Sequence, residues 1–128
     1  DWRKIIVMMT DGNNEVYCEP NMNNCSSQNA SDETAYRRVG ANVLGTTTRS
    51  GMLSAVNNRM TETCNYAKSL GIIVYTITFA NSLNSATRTL YQNCATDAGK
   101  YFNAPTQADL INVFQQISRE LSNLYVSE

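Results

Sequence analysis

The residue best suited to chemistry is a carboxylate that directly follows an apolar run. Residues 4–9 are mostly apolar and are followed by Thr10, Asp11, Gly12 and Asn13. A carboxylate beside a glycine, which lets the backbone turn sharply, is a suitable ligand for a hard cation such as Mg²⁺ or Ca²⁺. One carboxylate cannot satisfy such an ion, because the ion takes about six or more oxygen ligands. Asp11 is therefore a candidate metal ligand that needs partners, and an ordinary Asp-Gly turn is the alternative.

The four cysteines are the second group of residues that could do chemistry. The chain has no histidine, which excludes Ser-His-Asp triads, Cys-His pairs and the usual zinc ligand sets. Cys18, Cys25, Cys64 and Cys94 include no closely spaced pair, which disfavours a zinc site made of four cysteines. An even number of cysteines in a chain rich in Asn, Ser and Thr is typical of an oxidising compartment. We therefore expect disulfides, and reduced, buried cysteines in a cytoplasmic protein are the alternative.

Length and charge narrow the class of protein. The 128 residues suffice for one compact domain, and the 42% hydrophobic and 16% charged content is typical of a globular protein. A net charge of -1 without a basic cluster disfavours nucleic-acid binding. No stretch approaches the roughly 18 apolar residues of a membrane span. The sequence opens without a signal peptide, which we interpret as a cut inside a longer protein.

Apolar patterns along the chain predict three strands and three helices. The runs at 4–9 and 72–79 lack polar alternation, which is typical of parallel strands buried on both faces. The last helix begins at a capping box between Thr106 and Asp109. Its core-facing stripe is expected to consist of Leu110, Phe114, Ile117, Leu121 and Leu124. In chain order we expect strand 4–9, a long polar loop over 11–50, helix 52–70, strand 72–79, helix 86–95, strand 100–103 and the final helix from 106.

This alternation of elements predicts an α/β fold. Strands separated by helices form parallel sheets with right-handed crossovers and helices on both faces. We therefore expect part of a doubly wound, Rossmann-like sheet with three main strands. Because both long strands are expected to be buried on two sides, more strands should flank them, and these would precede residue 1. An open sheet edge tends to associate, so a homodimer, with or without an exchanged segment, is also expected.

The residues around Asp11 resemble a known family. Residues 5–12 look like the fourth strand and following loop of von Willebrand factor A-like (vWA-like) domains, in which an apolar strand ends in Thr-Asp-Gly. Residues 71–79 look like the next strand. Leu90, Cys94-Ala95, Tyr101-Phe102 and the end of the last helix at 124–127 are similar to the tails of TadE/TadG-like proteins of tight-adherence (Tad) pilus assembly. The resemblance covers residues 2–127 apart from 13–50. It implies that residues 1–128 are the C-terminal part of one vWA-like domain.

The resemblance also implies a metal site and a disulfide. Three loops form the adhesion site of vWA domains, and only the third, an aspartate, has a counterpart here, which is Asp11. No D-x-S-x-S motif occurs, and Asp32, in Ser-Asp-Glu-Thr, does not match it. A divalent cation is thus expected only together with a missing N-terminal half. The resemblance pairs Cys64 with Cys94, and the local spacing favours pairing Cys18 with Cys25.

Three functions are consistent with the sequence. The leading hypothesis is a non-enzymatic protein-binding or adhesion module of Tad-type pilus assembly or surface attachment, located in the bacterial periplasm or outside the cell. Its partner would be a protein of the pilus or envelope. A structural envelope scaffold without a metal site is the first alternative. A metal-dependent hydrolase that uses Asp11 is the second, although no nucleophile and base occur together.

Overall fold

A computed structural model describes residues 3–18, 25 and 33–126. For Glu33 and residues 123–126 it describes the backbone alone. The chain divides into two compact units, one of Asp1–Asn13 with Cys64–Glu128 and one of Asn14–Thr63. In chain order the elements are β1 (Ile5–Thr10), β2 (Glu33–Thr34), β3 (Arg37–Arg38), α1 (Arg49–Ser69), β4 (Ile73–Thr78), α2 (Ser85–Cys94), β5 (Tyr101–Asn103) and α3 (Gln107–Val126).

The first unit is built on a parallel sheet of three strands. The strand order is β1-β4-β5, and both pairings are parallel. Ile5 lies opposite Ile73, and Thr78 lies opposite Asn103. The predicted α/β class with parallel strands and intervening helices is therefore confirmed. Its assignment to the vWA type remains a prediction.

Helices cover both faces of β4, the central strand. Tyr75 and Ile77 point to one face and pack against Val113 and Ile117 of α3. On the other face, the hydroxyl of Thr76 donates a hydrogen bond of 2.8 Å to a carbonyl oxygen in α2, that of residue 91. Because neighbouring residues of a strand face opposite ways, this alternation places α2 and α3 on opposite sides of the sheet.

Burial on both faces was predicted for β1 as well as for β4, and only β4 is buried in this way. Residues 74–78 of β4 are buried, whereas Ile6, Val7 and Met9 of β1 are exposed. The difference arises because β1 is an edge strand of the described sheet and β4 has a neighbour on each side.

Helix α3 begins as predicted, but the prediction is wrong for one residue of its core-facing stripe. Thr106 and Asp109 form the capping box, in which the Asp109 amide donates to the Thr106 hydroxyl and the Thr106 amide to the Asp109 carboxylate, each at 3.2 Å. Phe114 is 47% exposed, and Val113, only 8% exposed, takes its place in the core. A helix turns by about 100° per residue, which puts Val113 over the sheet and Phe114 on the flank of the stripe. The side chain of Leu124 lies outside the described residues.

The second unit has a small core of its own. Buried side chains from the polar segment and from the start of α1 form it: Val16, Cys18, Cys25, Val39 and Met52. Strands β2 and β3 form an antiparallel hairpin in this unit. Helix α1 begins at Arg49, earlier than its apolar stripe predicts, because the hydroxyl of Thr48 accepts a hydrogen bond of 3.1 Å from the amide of Gly51.

Both disulfides connect the cysteines that the resemblance and the local spacing pair. Cys18 and Cys25 are bonded, with Cα atoms 5.2 Å apart, and Cys64 and Cys94 are bonded, with Cα atoms 5.1 Å apart. The second bond joins the last part of α1 to the end of α2. Lys68 strengthens this junction, since its ammonium group donates to the backbone carbonyl oxygen of residue 93 at 2.7 Å.

Candidate functional site

The loops that follow the three strands meet at the carboxyl edge of the sheet. The ladder continues one step past each strand end: the amide of Phe79 donates to the carbonyl of Thr10, and the amide of Ala104 to the carbonyl of Thr78, both at 2.8 Å. Carboxyl edges of open parallel sheets are where ligands bind in α/β proteins. Asp11 therefore lies at the same edge of the sheet as the ends of β4 and β5.

The turn that carries Asp11 is held by the hydroxyl of Thr10. This hydroxyl donates to the carbonyl of Gly12 at 2.7 Å and accepts from the amide of Gly12 at 3.3 Å. Gly12 does not have a positive φ, and a Cβ there would meet no atom within 4 Å. The turn therefore does not require a glycine at residue 12, and the threonine side chain closes it.

Asp11 itself is exposed and unengaged. Its carboxylate makes no hydrogen bond or ion pair with any residue that the structure describes. The backbone on either side is fixed, by Thr10 before it and by Asn13 after it. The carboxylate is therefore presented to solvent on an ordered support, where a cationic group can reach it.

Asn13 fastens the loop after β1 to the start of α2. Its side-chain oxygen accepts from the amide of Asn84 at 3.1 Å and from the hydroxyl of Thr87 at 2.9 Å. Asn84 is also the N-cap of α2, since its side chain accepts from the amide of Thr87 at 2.8 Å. No local pattern in the sequence predicts the role of Asn13, because its contacts join residues 71 and 74 positions apart.

The ends of β4 and β5 are joined by a second polar cluster. The buried hydroxyl of Thr78 lies 3.1 Å from the hydroxyl of Tyr101 and 3.0 Å from the side-chain oxygen of Asn103. These groups satisfy one another, as buried polar atoms must. The hydroxyls of Thr78 and Tyr101 are thus engaged within the fold, whereas the Asp11 carboxylate has no hydrogen-bond partner among the described residues.

The described residues do not make a complete metal site. In the ranges 3–18, 25 and 33–126, no three His, Cys, Asp or Glu side chains lie together in a way that could hold a metal ion. Asp32, which the sequence already separates from the adhesion-site motif, lies outside the described residues. The role of Asp11 as one metal ligand therefore remains a prediction, and no step in a reaction follows from it.

Asn13 gives a direct test of how this edge is ordered. Asn13→Ala should lower the free energy of unfolding by about 1 kcal/mol, because Thr87 and the amide of Asn84 lose their acceptor. Hydrogen exchange at the amide of Asn84 should become faster. Asn81→Ala, in the exposed loop before α2, is the matched control and should change neither quantity. Unchanged exchange in Asn13→Ala would show that the loop is held in another way.

Comparison with known proteins finds no match to this chain. No protein-family model matches this chain, and no curated protein or solved structure matches it. The resemblance to vWA-like and TadE/TadG-like proteins therefore depends on the residues quoted above and stays a prediction. None of the helices in the described part of the chain is both long and apolar enough to cross a membrane.

Proposed function

We propose that this chain is a non-enzymatic protein-binding module that contacts its partner through the carboxyl edge of the sheet. One observation carries the proposal: an exposed carboxylate, that of Asp11, stands free on a turn whose neighbours are tied to β1 and α2. Ordering the loop before binding reduces the entropy that association costs. A lysine or arginine of a partner is the simplest group for such a carboxylate to bind.

The surroundings of Asp11 favour binding over catalysis. General acid–base chemistry needs a titratable group within hydrogen-bond reach of the proton that it transfers in a bound substrate, and nucleophilic catalysis needs a nucleophile beside a base. The neighbouring groups are the hydroxyls of Thr10, Thr78 and Thr87 and the amide of Asn13, each hydrogen-bonded within the fold. Among the described residues, the side chains with shifted pKa values are Tyr75 and Glu120, which form a pair between β4 and α3.

The proposed setting is Tad-type pilus assembly or surface attachment in the bacterial periplasm or outside the cell. The Thr10-Asp11-Gly12 strand end and the tail from Leu90 support it by resemblance, and two disulfides are compatible with an oxidising compartment. In a complete vWA-like domain, Asp11 would be the ligand on one of the three loops that form a cation site. The other two loops have no counterpart in these 128 residues.

Asp11→Ala in the full-length protein tests the proposal. Losing a charged contact costs about 1.5–3 kcal/mol, so pilus assembly or attachment should fall about tenfold or more. Glu62→Gln, which changes another exposed carboxylate on α1, is the control and should have no effect. Unchanged assembly in Asp11→Ala would favour the structural scaffold instead.

Two further measurements separate the remaining alternatives. Calorimetric titration of the 128-residue chain with MgCl₂ or CaCl₂ should show no micromolar binding, since Asp11 has no second carboxylate beside it among the described residues. Hydrolysis of a phosphate or carboxylate ester that depends on Asp11 would instead support the metal-dependent hydrolase.

A further inference from the structure

Asp11 is followed by the residue type that best allows an aspartate to react with the backbone. The amide nitrogen of the next residue can attack the side-chain carbon Cγ of an aspartate and close a succinimide ring. A Cβ on that next residue hinders the approach, whereas glycine has none and rotates more freely. Asp-Gly occurs once in the chain, at residues 11 and 12, and the other aspartates precede Trp, Glu, Ala or Leu. The sequence therefore favours Asp11 for this reaction.

The Asp11 carboxylate is also free to reach that amide. It is exposed and makes no hydrogen bond or ion pair with any residue that the structure describes. By contrast, the Asp97 carboxylate accepts from the amide of Gly99 at 2.8 Å, and the Asp109 carboxylate accepts from the hydroxyl of Thr106 at 2.6 Å. Each of these must break its hydrogen bond before it can turn toward the next amide. Of the aspartates that the structure describes, Asp11 alone meets no such barrier.

The shape of the turn does not account for the glycine. The backbone at Gly12 is outside the left-handed region, and a Cβ placed there would meet no atom within 4 Å. An alanine would therefore fit the turn. What glycine changes here is chemical, since it leaves the amide nitrogen open to the Asp11 side chain. The open space around Gly12 also gives the peptide room to rotate.

The hydroxyl of Thr10 restrains this amide. It accepts a hydrogen bond from the Gly12 amide at 3.3 Å and donates one to the Gly12 carbonyl oxygen at 2.7 Å. The first of these is longer than the range of about 2.7–3.2 Å that such bonds have, and it is therefore weak. The amide must leave the hydroxyl before it can attack Cγ, because closure of the ring requires the peptide to rotate. Thr10 should thus slow the reaction without preventing it.

We propose that Asp11 is a site of spontaneous covalent modification, at which aspartate isomerises to isoaspartate at a rate that the hydroxyl of Thr10 lowers. The nitrogen of Gly12 bonds to Cγ of the Asp11 carboxylic acid, and the amide proton and a hydroxyl group leave together as water. Water then adds to either carbonyl of the succinimide. Attack at Cγ breaks the new bond and restores aspartate. Attack at the main-chain carbonyl breaks the original peptide bond and gives isoaspartate, in which the chain runs through Cβ and Cγ.

Isomerisation changes the carboxyl edge of the sheet without changing its charge. The chain becomes longer by one carbon between Thr10 and Gly12, and the free carboxylate is attached directly to the Cα atom of residue 11. The Thr10 hydroxyl then no longer faces both backbone groups of Gly12, and the carboxylate is withdrawn toward the backbone. Loss of the partner contact by this route rests on the proposed function of Asp11, whereas the isomerisation itself does not.

Incubation of the 128-residue chain at physiological temperature and pH tests the modification. Trypsin and glutamyl endopeptidase then release residues 5–15 as one peptide, in which electron-transfer fragmentation distinguishes isoaspartate from aspartate. Isoaspartate should accumulate at residue 11 and not at Asp97, which precedes alanine and is bonded to the amide of Gly99. An Asp11 that stays as unmodified as Asp97 would overturn the proposal.

Gly12→Ala tests the role of the glycine. Because the turn has room for a Cβ at residue 12, the variant should keep the circular dichroism spectrum of the wild type. Its isoaspartate should form about tenfold more slowly, which corresponds to a barrier higher by about 1.4 kcal/mol. Equal rates in the two proteins would contradict a reaction that depends on the open amide of Gly12.

Thr10→Val tests the restraint, since valine has the shape of threonine without the hydroxyl. Isoaspartate should form about threefold faster, the effect of losing a hydrogen bond worth about 0.7 kcal/mol. A rate at or below that of the wild type would refute the restraint by Thr10. All these rates are measured without a partner, so they decide the modification even if Asp11→Ala leaves assembly unchanged. An unmodified Asp11, in turn, would leave the proposed partner contact intact.

Discussion

Replacing Cys64 and Cys94 together with alanine should lower the free energy of unfolding by about 3–4 kcal/mol. The two residues are 30 positions apart in the chain, so the bond removes a large part of the conformational entropy of the unfolded state. Both side chains are buried, which protects the bond from reductant. Urea unfolding of the oxidised wild type and the double variant measures the difference.

The other disulfide provides the control for this prediction. Cys18 and Cys25 are seven positions apart and lie in the other unit, so their replacement should cost only about 2 kcal/mol by the same loop-closure argument. Replacing Cys64 and Cys94 should also destabilise the carboxyl edge of the sheet, because their disulfide fixes α2, the helix to which Asn13 is hydrogen-bonded. Equal losses for the two pairs would show that loop closure does not set their contributions.

The strands of the sheet could be predicted because the apolar pattern of each strand lies within a few consecutive residues. Residues 73–78 are an unbroken apolar and β-branched run, which only a strand with neighbours on both sides can bury, and β4 is that strand. The capping box at Thr106 is equally local and was found. The start of α1 was placed too late, since the apolar stripe begins after the turn that Thr48 caps.

The errors concern contacts that depend on the whole fold. Phe114 and Val113 fit the periodicity of α3 almost equally, and the position of the helix over the sheet decides which is buried. The apolar run of β1 predicted burial on both faces, but the run does not show how many neighbouring strands or helices cover it.

The candidate site was predicted in part. Asp11 at the end of an apolar strand could be located from sequence, because strand ends of parallel sheets meet at one edge. The hydrogen bonds of Asn13 to Asn84 and Thr87 could not, since no short spacing links these residues. The sequence thus indicated a candidate carboxylate, and the structure added how its loop is held.

A charged cluster that fastens α3 to the sheet should make stability depend on pH. The hydroxyl of Tyr75 donates to the carboxylate of Glu120 at 2.8 Å, and the ammonium group of Lys100 lies 3.3 Å from the same carboxylate. Lys100 also lies 5.3 Å from the centre of the Tyr75 ring. The hydrogen bond from Tyr75 lowers the pKa of Glu120, and burial raises the pKa of Tyr75 to about 12.

The direction of the pH dependence follows from these shifts. A carboxyl group whose pKa is lower in the folded state stabilises the fold fully above its ordinary pKa of 4.5, and this stabilisation is lost as pH falls through the folded value. Tyr75 acts at the other end: its stabilisation is complete below its ordinary pKa of 10.0 and is lost as pH rises through about 12. Between these limits the contribution of the cluster should be constant.

Glu120→Gln should therefore lower the free energy of unfolding by about 1–2 kcal/mol near neutral pH. The glutamine still accepts a hydrogen bond from Tyr75 but no longer attracts Lys100, so the loss reports on charge. Because the wild-type carboxylate becomes protonated in acid, the difference between the two proteins should shrink as pH falls below 4.5. Urea unfolding over a pH series measures it, with Glu62→Gln as the exposed control. A difference that stays constant down to acid pH would mean that shape, not charge, holds Glu120 against Tyr75.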